Sequence, residues 1–404
     1  LLKITKKKGN NSVDLLAEAD SLFLPVFKRL PVEIAYGKGV YLFDRQNRAY
    51  LDLFSGLGVN ALGYDHPGIN EAIEQQLHRN LHLSNYFVQD IQVELARKIL
   101  SLSGFDSLFL TNSGTESIEG CLKIAKKWAN LNGRSGIICF DKSFHGRTLG
   151  SLSVTAQEKY QKNFRPLLSG VQYIPFNDPD ALRRAANVQT AAVILEFIQG
   201  EGGVVPAAAD FVEELQRLKS RFGFLIIADE IQTGVGRTGK FLAWEHFGLR
   251  PDLVAIAKAV GGGLPLGAFL VSAELREVLA RGEHGTTFGG NALSCAAGLV
   301  VLSEIENHDL MAHVCKTGNY LRQCLEDLRA EFPHLIRECR GIGLMQGMEL
   351  TIDAFPLVLE GLERGVIFNA TAGKVLRFLP PLIISREELQ RGISVLRDIF
   401  KNHQ

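Results

Sequence analysis

A chain of 404 residues with 44 Lys and Arg against 44 Asp and Glu carries no formal net charge. That balance argues against a nucleic-acid binder or a membrane-surface protein, both of which normally carry a basic excess. The length suits two or three domains of about 100–200 residues each, with a core that needs no disulfide or metal staple.

No apolar run approaches the roughly 18 residues of a membrane span. The six cysteines are scattered without a Cys-x-x-Cys pair, so they read as small core residues of a reducing compartment, with no metal site among them. The chain starts Leu1-Leu-Lys-Ile-Thr-Lys-Lys-Lys8, without a Met and without the apolar stretch of a secretory signal, which leaves room for a cleaved organelle peptide upstream. A soluble, cytoplasmic, globular chain is expected.

In chain order, residues 34–60 read as a hairpin-like piece built on 39–44 and 49–53. Short apolar runs at 107–111, 136–140, 171–175, 191–197, 224–229, 253–257 and 267–272 then alternate with amphipathic stretches. Most of these runs lack polar alternation, as expected of strands covered on both faces in a mainly parallel sheet. A helix over 115–131 aligns Ile118, Cys121, Ala125 and Trp128, and one over 210–221 aligns Phe211, Leu215 and Leu218. Beyond residue 300, helices are expected near 317–331 and 386–401, with strands at 342–350 and 374–378 between them. Ser385-x-x-Glu388 forms a capping box for the last helix. The fold class is therefore α/β, a mainly parallel central sheet domain at 66–295. A smaller α+β domain comes from both termini, 1–65 and 296–404.

Ligands of open α/β sheets sit beyond the carboxyl ends of the strands, so the residues after each run carry the functional reading. After the first comes Asn112-Ser113-Gly114-Thr115-Glu116, which is either a plain capping box or an anion site at a helix N-terminus. Phe144-His145-Gly146-Arg147 follows the second run, where a lone His or Phe in a loop is usually structural. Glu196 and Glu201 follow the fourth. Gly234-x-Gly236-x-x-Gly239-Lys240 matches two nucleotide-binding patterns in part, and both are rejected. The segment is separated from its strand, no acidic residue ends a strand about 20 residues on, and Phe241 stands where a magnesium-holding Ser or Thr is needed. Asp229 closes an apolar strand, where a buried charge needs a partner. Lys258 ends another strand before three glycines, and it reads either as a snorkelling lysine or as a desolvated amine suited to Schiff-base chemistry. A strand-end lysine, a strand-end aspartate and a helix-terminal anion loop together suggest pyridoxal phosphate.

Asn112-Ser-Gly-Thr-Glu-Ser117, Phe144-His-Gly-Arg-Thr148, Asp229-Glu-Ile-Gln-Thr-Gly234, Ala257-Lys-Ala-Val-Gly-Gly-Gly-Leu-Pro265 and His284-Gly-Thr-Thr-Phe-Gly-Gly-Asn291 resemble class-III, fold-type-I aminotransferases. The resemblance extends through 52–67 and Leu376-Arg-Phe-Leu-Pro-Pro381, covers essentially the whole chain, and looks nearest to acetylornithine aminotransferases and their lysine-pathway relatives.

The resemblance implies a role for each matched residue. Lys258 would carry pyridoxal phosphate as a Schiff base and shuttle the proton, and Asp229 would bind the pyridine nitrogen. Ile231 and Phe144 would flank the ring, and Gln232 would contact its phenolic oxygen. Ser113, Gly114 and Thr115 would hold the phosphate, the last two by backbone amides. Thr287 would reach the phosphate of a partner subunit, which implies a homodimer with shared active sites. Arg147 would grip a carboxylate of the amino donor, with Thr286 in the same pocket, and Arg377 the α-carboxylate of glutamate or 2-oxoglutarate. Glu201 would pair with Arg377 in one half-reaction and release it in the other.

The chain departs from the family pattern at Phe197 and Ala292, where prolines are common. It also carries Leu57 where ornithine δ-aminotransferases carry a tyrosine, which favours an acylated donor. The expected reaction moves the terminal amino group of N-acetyl-L-ornithine to 2-oxoglutarate, as in arginine biosynthesis. The alternatives are 4-aminobutyrate, succinylornithine, ornithine or a lysine-pathway semialdehyde as substrate. A glutamate-semialdehyde aminomutase, a nucleotide-binding dehydrogenase or hydrolase using 234–240, and a catalytically silent scaffold are more remote.

Overall fold

The computed structural model describes residues 15–307 and 309–403; the lysine-rich start lies outside them. Three N-terminal strands come first: β1 (Ile34–Lys38), β2 (Tyr41–Asp44) and β3 (Ala49–Asp52). The central sheet follows with β4 (Ser107–Thr111), β5 (Gly136–Phe140), β6 (Val171–Ile174) and β7 (Thr190–Leu195). A small ribbon of β8 (Ile198–Gln199) and β9 (Val205–Pro206) precedes β10 (Leu225–Asp229), β11 (Leu253–Ile256) and β12 (Gly267–Val271). The C-terminal part adds β13 (Ile336–Ile342), β14 (Met345–Leu350), β15 (Val366–Ile367), β16 (Asn369–Thr371) and β17 (Val375–Phe378).

All seven apolar runs join one sheet in the order β4-β12-β11-β10-β7-β5-β6. Its contacts are parallel except those of β12, which runs antiparallel to both β11 and β4. Every residue of β7, β10, β11 and β12 is buried, which is why these runs lack polar alternation. The two faces still sort by parity. Val193, Leu195, Ile226 and Ala228 pack with Phe211, Leu215 and Leu218 of the Ala209–Phe222 helix. Ala192, Ile194, Leu225 and Ile227 pack with Ile118, Cys121 and Ala125 of the Gly114–Leu131 helix.

The chain ends meet outside this sheet. β15 pairs in parallel with β3, so residues near 366 complete the N-terminal sheet β1-β2-β3-β15. A third sheet runs β13-β14-β17-β16. The strand expected over 342–350 begins at Met345, because Gly343, at φ 57°, turns the chain back from β13. The last helix runs Arg386–Lys401 with the Ser385–Glu388 box formed, whereas the helix expected near 317–331 starts at Leu310, and a further helix, Phe355–Glu363, stands between the two. An Ala292–Asn307 helix was not expected at all. It buries Cys295, Ala297, Val301 and Ile305 among many others and lacks a polar stripe that periodicity could detect.

One segment is wound the other way. Ser55, Gly56, Leu57 and Gly58 all have positive φ, from 46° to 77°, a left-handed turn that costs L residues free energy. Asp52 secures it by accepting from the amides of Phe54 and Ser55 at 2.8 and 3.0 Å, and the Ser55 hydroxyl donates to Leu379 O at 2.6 Å.

The Gly114–Leu131 helix lies so close to the sheet that a Cβ at Gly120 would stand 2.1 Å from the Phe269 ring. Helix propensity alone makes Gly→Ala worth about 1 kcal/mol of stability, but overpacking of a filled core costs about 1–3 kcal/mol. We therefore expect Gly120→Ala to lower the urea midpoint, and a rise would mean that the helix can shift off β12.

Candidate active site

The carboxyl ends of the parallel strands open into a cavity of about 490 Å³, and Lys258, Asp229, Gly114 and Phe144 all line it. Each lies at the end of a strand or just beyond it. After β4, Ser113 caps the Gly114–Leu131 helix by accepting from Glu116 N at 3.4 Å. The reciprocal half of the expected box is displaced by one residue, since Glu116 Oε2 accepts from Asn112 N and Nδ2, both at 2.9 Å. The amides of Gly114 and Thr115, in the first turn, have no acceptor within the helix. Only glycine fits at 114, because a Cβ there would lie 2.7 Å from Ile231 Cδ1.

Asp229 ends β10 with 4% of its surface exposed. Its Oδ1 accepts from Ile231 N at 3.0 Å, and its Oδ2 lies 2.7 Å from His145 Nδ1. A carboxylate can only accept, so this contact puts the imidazole proton on Nδ1. The His145 backbone is fixed by donation to Thr155 Oγ1 at 2.8 Å, and its Nε2 is buried without a partner among the described residues. The reading of that histidine as merely structural is thus incomplete, since it holds the strand-end carboxylate. Glu196 braces two of the loops, accepting from Phe144 N at 3.0 Å and Gly200 N at 2.9 Å. Burial pushes its carboxyl up to about 7, against the pull of His145.

Lys258 follows β11 in a tight turn at φ 52°. Loss of water around the ammonium, and then the charge of Arg377, push its pKa down to about 8 despite Glu201, Asp229 and Glu196. Nearby, Arg377 of β17 is 2% exposed and donates from Nη1 to Glu201 Oε1 at 2.6 Å and to Gln232 Oε1 at 3.2 Å. Burial would raise the Glu201 carboxyl, but the Arg377 charge and hydrogen bond, with Lys258 and Thr371, hold it below its ordinary range.

Arg147 stands at the mouth, stacked 3.8 Å over the Tyr160 ring and 5.4 Å from the centroid of Phe144, with no carboxylate partner among the described residues. Phe144 and Ile231 both face the cavity.

Thr286 and Thr287 lie elsewhere. They line a neighbouring groove with His82 and Tyr86, so within one chain Thr286 does not share the pocket of Arg147. Its hydroxyl instead accepts from Asn112 Nδ2 at 3.2 Å. None of the 234–240 segment lines the cavity. Its arginine, Arg237, is buried and donates to the carbonyls of Leu344 and Pro380, and burial pushes its pKa down to about 9. These contacts pack the loop against the C-terminal part of the chain. Two residues that sequence reading missed, Asn369 and Thr371, sit on β16 beside Arg377 and contact it or Glu201.

The profile of the family "Aminotransferase class-III" matches residues 26–400. The chain is 46% identical to the acetylornithine aminotransferase of Aquifex aeolicus over 93% of this chain and 98% of that one. It is 42% identical to the acetylornithine aminotransferase of Methanocaldococcus jannaschii over 93% and 95%. Among solved structures, the ornithine aminotransferase of Toxoplasma gondii superposes with a TM-score of 0.93 at 30% identity, covering 98% of this chain and 97% of that one. The acetylornithine aminotransferase of Elizabethkingia anophelis gives 0.87 at 31% identity, over 98% and 100%. A strand-end lysine and aspartate around one cavity, in a fold shared along nearly the whole chain with these enzymes, leave no doubt of kinship: the chain belongs to the class-III aminotransferases, a family of pyridoxal-phosphate-dependent enzymes, and is a transaminase.

Proposed function

We propose that the chain transfers the terminal amino group of N-acetyl-L-ornithine to 2-oxoglutarate, giving N-acetylglutamate semialdehyde and glutamate as in arginine biosynthesis, with pyridoxal phosphate bound at Lys258. The observation that carries the cofactor assignment is the desolvated Lys258 amine, which shares one cavity with Asp229 and with Gly114 and Thr115 of a helix's first turn. The residues present fit the group. The positive end of an 18-residue helix suits a phosphate, with Ser113 beside it, and Phe144 and Ile231 offer apolar surfaces to the two faces of a ring.

When bound, pyridoxal phosphate supplies an aldehyde for amine capture and a ring that withdraws electrons from the carbon losing its proton. Asp229 would face the ring nitrogen, oriented by His145 and Ile231 N. Gln232 accepts from Arg377 through Oε1, which leaves its amide N–H groups to donate to the phenolic oxygen. Lys258 would be the nearby amine that takes and returns the substrate proton. Arg147 would bind the donor's carboxylate and Arg377 the α-carboxylate of glutamate or 2-oxoglutarate, since a guanidinium fork matches a carboxylate. Glu201 would cover Arg377 during the donor stroke and uncover it during the acceptor stroke, so that one site serves both strokes of a ping-pong cycle.

The names of the relatives at 46% and 42% identity support an acetylated donor. The fold alone does not discriminate, because an ornithine aminotransferase superposes equally well. Leu57 supports the acylated donor by its lack of a polar group, although it is Val59, on the same turn, that lines the cavity.

A homodimer with shared sites is part of the proposal. It is supported by the exposed Thr287 beside Phe288, Tyr86 and Val88, which are 59%, 97% and 89% exposed. The division into a domain at 66–295 and one from 1–65 with 296–404 is supported by the β3–β15 pairing. Six unpaired cysteines suit a reducing compartment such as the cytoplasm, and among the described residues no helix is long and apolar enough to cross a membrane.

The protein reconstituted with pyridoxal phosphate should be yellow, amino donor should bleach it, and borohydride should fix the cofactor on Lys258. Lys258→Ala should lower turnover by at least about 10⁴-fold; retained colour and turnover would overturn the assignment. Half-reaction rates across acetylornithine, succinylornithine, ornithine and 4-aminobutyrate should favour acetylornithine, and a clear preference for free ornithine would overturn the donor.

Without cofactor, the Lys258 amine should titrate at about 8, against about 10.4 in the unfolded chain. Between those values the unfolded state binds more protons, so this group's contribution to stability is least below pH 8 and improves as pH rises toward about 10.4. Lys258→Met should therefore be more stable than the wild type near neutral pH in urea titrations of the cofactor-free protein. The gap should close as pH rises, and a gap that is constant with pH would contradict a depressed amine.

A further inference from the structure

The pair Arg377–Glu201 is held from one side by a strand that no motif marks. β16 pairs antiparallel with β17, and Asn369 stands opposite Arg377 in that register. Asn369 Oδ1 accepts from Arg377 Nε at 2.9 Å, which aims Nη1 at Glu201 and Gln232. Two residues on, Thr371 points to the same side of the sheet by strand parity. Its hydroxyl lies 3.0 Å from the Glu201 carbonyl oxygen and 3.4 Å from Glu201 Oε2. Thr371 is only 6% exposed, so water offers its hydroxyl little alternative.

We propose that Thr371 is a positioning residue that latches Glu201 over Arg377 and so sets the balance between the two half-reactions. The inference rests on the gate role of Glu201 given above. A hydroxyl has one proton to donate. With the gate shut, two oxygens of the same residue share that proton, one on the backbone and one on the moving carboxylate. With the gate open, the carboxylate leaves and the backbone carbonyl keeps the proton. The loop therefore stays anchored in both states, and only the side chain moves. The contact to Oε2 is long, which suits a latch that must release once in every cycle, whereas the contact to the carbonyl is of ordinary length. Thr371 thus separates two tasks, anchoring the loop and biasing the side chain, in one group.

Removing the hydroxyl while keeping the volume, with Thr371→Val, leaves Arg377 uncovered for more of the time. The stroke that needs it covered should suffer. In the holoenzyme, single-turnover rates should give a kcat/KM for the amino donor lower by about fivefold, the worth of one weak hydrogen bond. The same constant for glutamate should stay within about twofold of wild type by the same reckoning. Thr371→Ser should restore the wild-type ratio. Equal losses in both half-reactions, or an unchanged ratio, would overturn the latch. Glu201→Ala separates this failure from a failure of the gate. If it too leaves the donor-to-glutamate ratio unmoved, the gate reading falls; if it moves the ratio and Thr371→Val does not, only the latch falls.

Discussion

The parallel pairing of β10 with β11 sets Asp229 opposite Ala255, and the site depends on that register. Because the strands run the same way, both release their chains at one edge of the sheet, where Asp229 is the last residue of one and Lys258 follows the other within a turn. Neighbouring strands lie about 4.8 Å apart, so a carboxylate and an amine delivered this way are brought to one crevice before any loop is specified. A slip of one residue would reverse the faces of the buried runs as well as the site. The packing of Ile226 and Ala228 on one side and Leu225 and Ile227 on the other therefore guards the chemistry as much as the fold.

Such a sheet is legible because it is buried on both faces. The inner strands β7, β10, β11 and β12 show as nearly unbroken apolar runs, the flanking β6 carries Gln172 and Tyr173 exposed, and strand ends shift by only a residue or two. Elements whose burial has no contrast are hidden. The Ala292–Asn307 helix is apolar almost all round, and β13 carries charged residues at Arg337, Glu338 and Arg340 with a register shift between Ile336 and Glu338. The left-handed turn at 55–58 is unreadable for another reason, since Ser55 and Leu57 are not residues that ordinarily accept a positive φ.

At the site, residues that end strands could be found and their partners could not. Lys258 and Asp229 stand out against apolar neighbours. His145 is 84 residues from the aspartate it holds, and its loop offers no periodicity. Asn369 and Thr371 precede Arg377 on a short strand whose pairing is decided by tertiary contacts. The glycines divide in the same way. Gly114 lies inside an evident motif, whereas the close approach of Gly120 to Phe269 lies mid-helix, where nothing local distinguishes it from a weak helix former.

Charge is handled locally throughout, and the two buried arginines show how. Arg237 donates from Nη1 to the carbonyl oxygens of Leu344 and Pro380, partners that cannot leave, while its Nε and Nη2 are buried without a partner among the described residues; it serves as a fastening between the 234–240 loop and the C-terminal part of the chain. Arg377 has instead a carboxylate partner whose side chain is 26% exposed while its own is 2% exposed. Breaking a buried ion pair by stranding one charge costs about 3–5 kcal/mol, so a gate of this kind works only if the departing group reaches water and the remaining one receives a new anion. The asymmetry of exposure suits the first condition, and the second would fall to a substrate carboxylate. Under the proposed gate, Glu201 would be the member hydrated as it leaves, and Arg377, fixed by Asn369, would wait for an incoming carboxylate. In the proposed gate, burial would decide which side moves, and charge would decide which substrate opens it.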